Sequence, residues 1–184
     1  MSRGAQENAR VRKNITEALF VLLNKKDFSE ITVTDIVTEA KVARASYYRN
    51  FETKEAIVVE YMESIYRDLA TFGVELDFDM LLKYDELVRR FEHSLTCLLQ
   101  KKSYILALYK NCFGSLILEI INRYTEEVAG NMPRTSIERY KLYFATGAAF
   151  NVLIKWLEGG AIESPLEMAK ACAGFLFGDI VTKK

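Results

Sequence analysis

Apolar residues recur at helical spacing near the start of the chain. Val11, Ile15, Ala18, Leu19, Leu22 and Leu23 fall at i, i+4, i+7, i+8, i+11 and i+12, one stripe of a 3.6-residue helix. The polar run Asn24 to Asp27 ends it. In the following Ile31-Thr32-Val33-Thr34-Asp35-Ile36-Val37, Thr32 and Asp35 stand three apart, the form of a capping box that satisfies the free N–H groups of a helix start. The spacing predicts a second helix over about Val33 to Ala40. Lys41-Val42 breaks the pattern, and Ala43 to Asn50 is again helix-compatible. Two short helices joined by a turn form a helix-turn-helix candidate, whose second helix has the width of a DNA major groove, about 12 Å.

From Thr53, an N-cap candidate, Ile57, Tyr61, Ile65 and Leu69 repeat at i+4 steps along a longer helix. Gly73 and the acidic stretch Glu75 to Asp79 interrupt it, and further helices are predicted over Leu82 to Leu99, Ser103 to Asn111 and Ser115 to Val128. Thr135-Ser136-Ile137-Glu138 and Ser164-Pro165-Leu166-Glu167 mark two more helix starts. The first of these helices runs from Ser136 to Glu158 and stops at Gly159-Gly160; the second runs from Pro165 to about Val181. Small residues on this pair (Gly147, Ala148, Ala149; Ala169, Ala173, Gly174) allow close packing against the same pair of another subunit, with packing inside one chain as the alternative. The pattern as a whole is all-α.

Composition narrows the picture. Half of the 184 residues are hydrophobic and 27% are charged, the balance of a folded globular chain. Two prolines and nine glycines leave little turn chemistry for a β-sandwich. One histidine and three cysteines, none in a C-x-x-C pair, disfavour a metal site or a disulfide framework. The polar first 13 residues lack the apolar core of a signal peptide, and no uninterrupted apolar run reaches about 18 residues. The expected address is cytoplasmic, without a membrane partner.

The net charge is zero, which argues against a general polyanion binder, but its distribution is uneven. Residues 1–54 carry ten basic and seven acidic side chains, and Lys41 to Phe51 holds three cations and no anion. That is the footprint of a phosphate-facing element, or, on charge alone, of a solvated helix face. Base edges and phosphates call for guanidinium, hydroxyl and amide groups, and Arg44, Ser46, Tyr47, Tyr48, Arg49 and Asn50 supply them in one stretch. The expected base readers are Arg44, Ser46, Tyr47 and Asn50. Tyr48 and Lys54 are expected on phosphates, and Thr34 of the preceding helix joins the DNA contacts. Phe51 reads as core, and Tyr47 and Tyr48, about 100° apart on a helix, cannot both be buried.

The segment Ile31 to Ile57 resembles the signature of the tetracycline-repressor (TetR) family. Asp35-Ile36-Val37, Val42, Arg44, Ser46, Tyr48, Phe51 and Lys54 match its Asp-Ile-Ala helix, its turn, its reading helix, its Tyr-x-x-Phe and the lysine beyond. The resemblance is close over roughly residues 9–58. It implies a homodimeric transcriptional repressor on a palindromic double-stranded DNA operator, released by a small molecule. It further implies a helix-turn-helix DNA-binding domain at 1–53, then a helical regulatory and dimerisation domain at 54–184, dimerised through its last two helices. Two positions depart from the pattern. Lys41 stands where the family usually has glycine, in a left-handed position that costs a side chain about 1 kcal/mol, its ammonium in solvent or within reach of a phosphate. Ala43 stands where Ser or Thr commonly caps the reading helix.

No G-x-x-x-x-G-K-[ST], G-x-S-x-G or H-E-x-x-H occurs, so catalysis is not expected and no cofactor or metal is implied. An apolar or aromatic effector would need an apolar cavity with a few polar tips. The candidate liners are His93, Tyr104, Tyr109, Asn111, Cys112, Tyr143 and Asn151. A helical adaptor that binds a protein partner, with no ligand of its own, is the alternative function; a small enzyme using His93 is a third.

Overall fold

The structure is a computed structural model that describes residues 3–71, 83–128, 137–176 and 178. Among these residues there are helices and no strands: α1 Arg3–Leu23, a 3-10 turn Phe28–Glu30, α2 Val33–Ala40, α3 Arg44–Asn50 and α4 Lys54–Ala70. They are followed by α5 Tyr84–Leu99, α6 Lys102–Lys110, α7 Gly114–Val128, α8 Ile137–Glu158 and α9 Pro165–Leu176. The expected interruption at Gly73 to Asp79 and the cap at Thr135 lie outside the described residues. Helix α9 is described over Pro165–Leu176, Gly178 sits at φ +106°, and the expected end at Val181 lies outside the described residues.

The chain divides into two compact units. The first comprises residues 1–64 with 107–113, and the second 65–106 with 114–184. The boundary expected between residues 53 and 54 falls inside the first. In this unit the stripe of α1 (Ile15, Ala18, Leu19, Leu23) is buried together with Ile31, Ile36, Ala40, Tyr47, Phe51, Ile57, Val58 and Leu108. Arg12 crosses the unit. Its guanidinium pairs with both carboxylate oxygens of Glu60, donates to the carbonyl of Asn50 at 3.0 Å and lies 4.6 Å from the Phe51 ring centroid. The returning segment 107–113 adds Asn111, whose Oδ1 accepts the Phe28 N–H at 2.8 Å, and Phe113, edge-on to Phe28 at 4.9 Å.

Local chemistry sets the helix ends as the sequence implies. Thr32 Oγ1 accepts from the Asp35 N–H, and the Asp35 carboxylate accepts from the Thr32 N–H at 2.8 Å, a complete capping box. At the other end of α2, Lys41 adopts φ 54°, ψ 44°. Lys41 N–H bonds Thr38 O and Val42 N–H bonds Val37 O, the paired bonds of a Schellman closure, here without glycine. Ala43 gives α3 no side-chain cap. Thr53 caps α4 through the Ala56 N–H at 3.1 Å, and Ser164 with Glu167 forms the expected box at α9.

In the second unit α9 packs along α5, and α7 packs against α8. Ala169, Ala173 and Gly174, expected at a subunit interface, are buried within the single chain. The small face of α9 is used to let another helix of the same unit approach.

The Asp35 carboxylate is held well below its ordinary value of 3.8, first by Lys26, whose ammonium lies at 2.8 Å, then by the Thr32 N–H and hydroxyl. A carboxylate with a depressed folded pKa adds stability above its unfolded pKa and loses it as the pH falls toward the folded one. Denaturant titrations at stepped pH are expected to show stability falling below about pH 4. Asp35→Asn should be less stable at neutral pH and lose less on acidification; equal acid sensitivity in both proteins would contradict the assignment.

Candidate nucleic-acid interface

What α3 presents outward follows from what it turns inward. Tyr47 is wholly buried, packed against Phe51, and its hydroxyl has no hydrogen-bond partner. Burial, ahead of the charges of Tyr48 and Glu55, pushes its pKa up to about 12. The expectation that Tyr47 reads bases is therefore corrected, because a side chain without exposed surface cannot reach a base edge; it anchors the helix instead. One position on, about 100° around the helix, Tyr48 is 49% exposed.

Around Tyr48 the structure gathers three of the expected contact residues. Arg44 donates from Nη2 to the Tyr48 hydroxyl at 3.2 Å, its Nη1 lies 3.5 Å from Thr34 Oγ1, and its guanidinium is 5.6 Å from the Tyr48 ring centroid. Thr34, on the first turn of α2, thus shares an exposed surface with the first and fifth residues of α3. Ser46 and Asn50 are half-buried. Asn50 Nδ2 donates back to the Ser46 carbonyl at 2.8 Å, and its Oδ1 is buried without a partner.

Ion pairing sorts the charges of this region. Asp35 and Glu39, the acids of α2, pair with Lys26 and Lys25 at the end of α1, at 2.8 and 3.5 Å. Lys41, Arg44 and Arg49 are exposed, and none of the three forms an ion pair among the described residues. The net result is a face of cations and hydroxyls built on α3 and the turn before it, as phosphate and base-edge contacts require.

Lys54 departs from its expected place. Its Nζ donates to the carbonyls of Phe28 (2.6 Å), Ile31 (2.8 Å) and Ser29 (3.4 Å) and lies 4.5 Å from the Phe28 ring centroid. The carbonyls of the 3-10 turn need a donor, and the ammonium at the start of α4 supplies it. Lys54 is a structural staple rather than a phosphate clamp.

The second unit holds a half-open cavity of about 600 Å³. Two helical stripes line it, Leu87, Arg90, Phe91, Ser94 and Leu98 from α5, and Leu142, Ala145, Thr146, Ala149, Phe150 and Leu153 from α8. Tyr124 also lines it; its hydroxyl is buried and has no hydrogen-bond partner. Arg90 is buried and pairs with Glu86 at 3.2 Å.

None of the seven expected liners contributes to this cavity. His93 is half-buried on α5 with Nε2 3.6 Å from Cys97 Sγ. Tyr104 and Tyr109 are half-buried on α6, and Cys112 is exposed in the turn after it at φ 68°. Asn111 is committed to Phe28 and to the Ala107 carbonyl. Tyr143 donates to Glu126 and accepts from Arg139, and Asn151 is exposed. The residues that line this cavity follow the i, i+3, i+4, i+7 phase of α5 and α8. Among the described residues, no group of three or more His, Cys, Asp or Glu is placed to hold a metal, and no helix is long and apolar enough to cross a membrane.

Residues 15–61 match the family described as bacterial regulatory proteins, tetR family. No curated protein sequence matches the chain. Among solved structures, a TetR transcriptional regulator from Streptococcus agalactiae aligns over 94% of this chain and 97% of its own, with 20% identity and a TM-score of 0.66. A dihydroxyacetone kinase operon activator, DhaS, aligns over 92% and 96% with 17% identity and a TM-score of 0.61. Thermus thermophilus FadR, a TetR-family repressor in complex with lauroyl-CoA, aligns over 94% and 96% with 18% identity and a TM-score of 0.50. At these identities the structural likeness speaks for the fold.

If Lys54 is a staple, Lys54→Met should lower the stability of the first unit by about 2 kcal/mol, the scale of charge-assisted hydrogen bonds. It should leave the salt dependence of DNA binding unaltered. Urea denaturation and binding isotherms at graded salt check both; full stability with a reduced salt slope would restore the phosphate role.

Proposed function

The chain is a DNA-binding transcriptional regulator of the tetR family, and we propose that it acts as a cytoplasmic homodimeric repressor on a palindromic operator and is released by a small apolar molecule. The observation that carries the DNA reading is the exposed Thr34–Arg44–Tyr48 cluster beside the unneutralised Lys41 and Arg49. Arg44 and Ser46 serve as base readers in this reading, with Thr34 and Tyr48 holding the backbone. Asn50, whose Oδ1 is buried and whose Nδ2 bonds the Ser46 carbonyl, is turned inward. Two-fold symmetry of a dimer asks for two half-sites about 34–36 Å apart or a modest departure from that spacing.

The dimer reading rests on α8. Ile137, Tyr140 and Phe144 are 66%, 66% and 76% exposed and follow one another at i, i+3 and i+7. Single exposed apolar residues are ordinary, but a contiguous row of this kind marks an interaction surface. Phe175 and Leu176 at the end of α9 are exposed as well. Gly147, on the same helix, has no atom within 4 Å of where a Cβ would lie, so within the protomer that stretch is open.

The effector reading rests on the cavity in the second unit. Its lining is mainly apolar, and its volume lies within the range of small-molecule sites, about 300–1,000 Å³. The unpartnered Tyr124 hydroxyl offers one polar contact to an otherwise apolar occupant. Such an occupant lowers operator affinity only by binding the DNA-incompetent shape more tightly, and a coupling of about 1–3 kcal/mol gives partial release.

Selection of genomic fragments retained by the protein, followed by footprinting, tests the function directly. A symmetric protected site containing an inverted repeat is the expected result. On that site Arg44→Ala should cost about 1–3 kcal/mol and relax specificity at one position of each half-site; equal losses on specific and random DNA would remove Arg44 from the readers. Phe144→Glu should place an unpaired charge in an apolar contact and cost several kcal/mol of association. Sedimentation equilibrium should then report monomer and operator affinity should fall with it, whereas an unchanged dimer would put the interface elsewhere.

A further inference from the structure

We infer that Lys41 is a phosphate-contacting residue of this protein, placed by the turn between α2 and α3 and additional to the contacts made from the helices themselves. The inference deepens the DNA-binding reading and rests on it.

Three observations converge on Lys41. The first is conformational: Lys41 closes α2 in the left-handed region, at φ 54° and ψ 44°. Glycine fills such a position at no steric cost, whereas a lysine there is strained. The Schellman bonds that Lys41 completes are backbone bonds, so the fold makes no use of the lysine side chain as such. The second is electrostatic. Glu39, two residues away, is paired with Lys25 at 3.5 Å, and Asp35 is paired with Lys26 at 2.8 Å. The α2 acids that could draw the Lys41 ammonium onto the protein surface are already neutralised from the end of α1. Lys41 is exposed and has no ion-pair partner among the described residues.

The third observation is position. Lys41 stands three residues before Arg44, the first residue of α3, whose guanidinium is turned toward Thr34 and Tyr48. No anion occurs between Lys41 and Phe51. A helix that enters the major groove brings the turn before it close to a phosphate strand. A lysine there meets the phosphate as a point charge on a flexible stem, which needs no fixed geometry. The expected contact is with the backbone alone, so it adds affinity and register without reading sequence.

The test separates charge from backbone strain. Binding of a random-sequence 30-base-pair duplex is measured by fluorescence anisotropy between 50 and 200 mM salt for the wild type, Lys41→Gln, Lys41→Gly and Arg44→Gln. Lys41→Gln keeps a strained side chain without its charge. Releasing one phosphate contact should lower the slope of log affinity against log salt by about 0.9. Affinity then falls between the two salt concentrations by about 3.5-fold less than in the wild type. Lys41→Gly should show the same slope while its urea midpoint rises, so stability and DNA binding move in opposite directions.

A wild-type slope in Lys41→Gln, with a reduced slope in Arg44→Gln, would overturn the role of Lys41 and leave the DNA-binding reading standing. Absence of duplex binding by the wild type at 50 mM salt would overturn both. A reduced slope in both lysine variants supports the phosphate contact whichever way the urea midpoint of Lys41→Gly moves; a lowered midpoint would overturn only the argument from strain.

Discussion

A seven-residue helix does not hold itself. Nucleating one costs more than so few hydrogen bonds return, and α3 starts at Ala43 without a side-chain cap. The surroundings hold it in place. Tyr47 seats its middle in the core of the first unit. Arg12 grips its last carbonyl at Asn50 while paired with Glu60 of α4. The Schellman turn at Lys41 fixes the angle at which the chain enters. A reading helix secured at its middle and end by groups outside itself can devote its exposed face to polar chemistry, because no residue on that face is needed for stability.

The same division of labour accounts for the roles of the charged residues. Acids and bases near α2 neutralise each other in pairs, Asp35 with Lys26 and Glu39 with Lys25, and Arg12 with Glu60. Lys54 is absorbed by carbonyls. On the turn and on α3, Lys41, Arg44 and Arg49 keep no ion-pair partner among the described residues. A chain with no net charge therefore still presents a cationic stretch here, because no acid lies between Lys41 and Phe51 and the acids of α2 are taken up by Lys25 and Lys26. Tyr47 adds a cost to this arrangement, since a buried hydroxyl without a partner forfeits its hydration, about 1–3 kcal/mol.

The local features of the fold were legible in the sequence because their causes lie within a few residues. The Thr32–Asp35 box, the bounds of α2, the Thr53 cap and the Ser164–Glu167 box all depend on neighbours a few positions apart, whereas the left-handed Lys41 was implied by the resemblance to the TetR family, which has glycine there. The roles of Lys54, Asn111 and Arg12 were not legible, because their partners lie 23 to 83 residues away. Tyr47 and Tyr48 illustrate an intermediate case. Helical phase dictates that they diverge, but only the position of α1 and α4 decides which one turns inward. The cavity was missed for a related reason. Its lining follows from how α5 and α8 are rotated about their axes, which the polar tips of single residues do not report.

The first unit is not continuous in sequence. Asn111 and Phe113 complete the packing around Phe28, yet they follow Ser64 by more than forty positions. During synthesis at about 5–20 residues per second, α1 through the first half of α4 leave the ribosome seconds before the segment that satisfies the Phe28 N–H. The DNA-facing part of the protein therefore cannot finish folding until much of the chain beyond it has been made, and a gene truncated after α4 encodes the reading helix without the full support on which it stands.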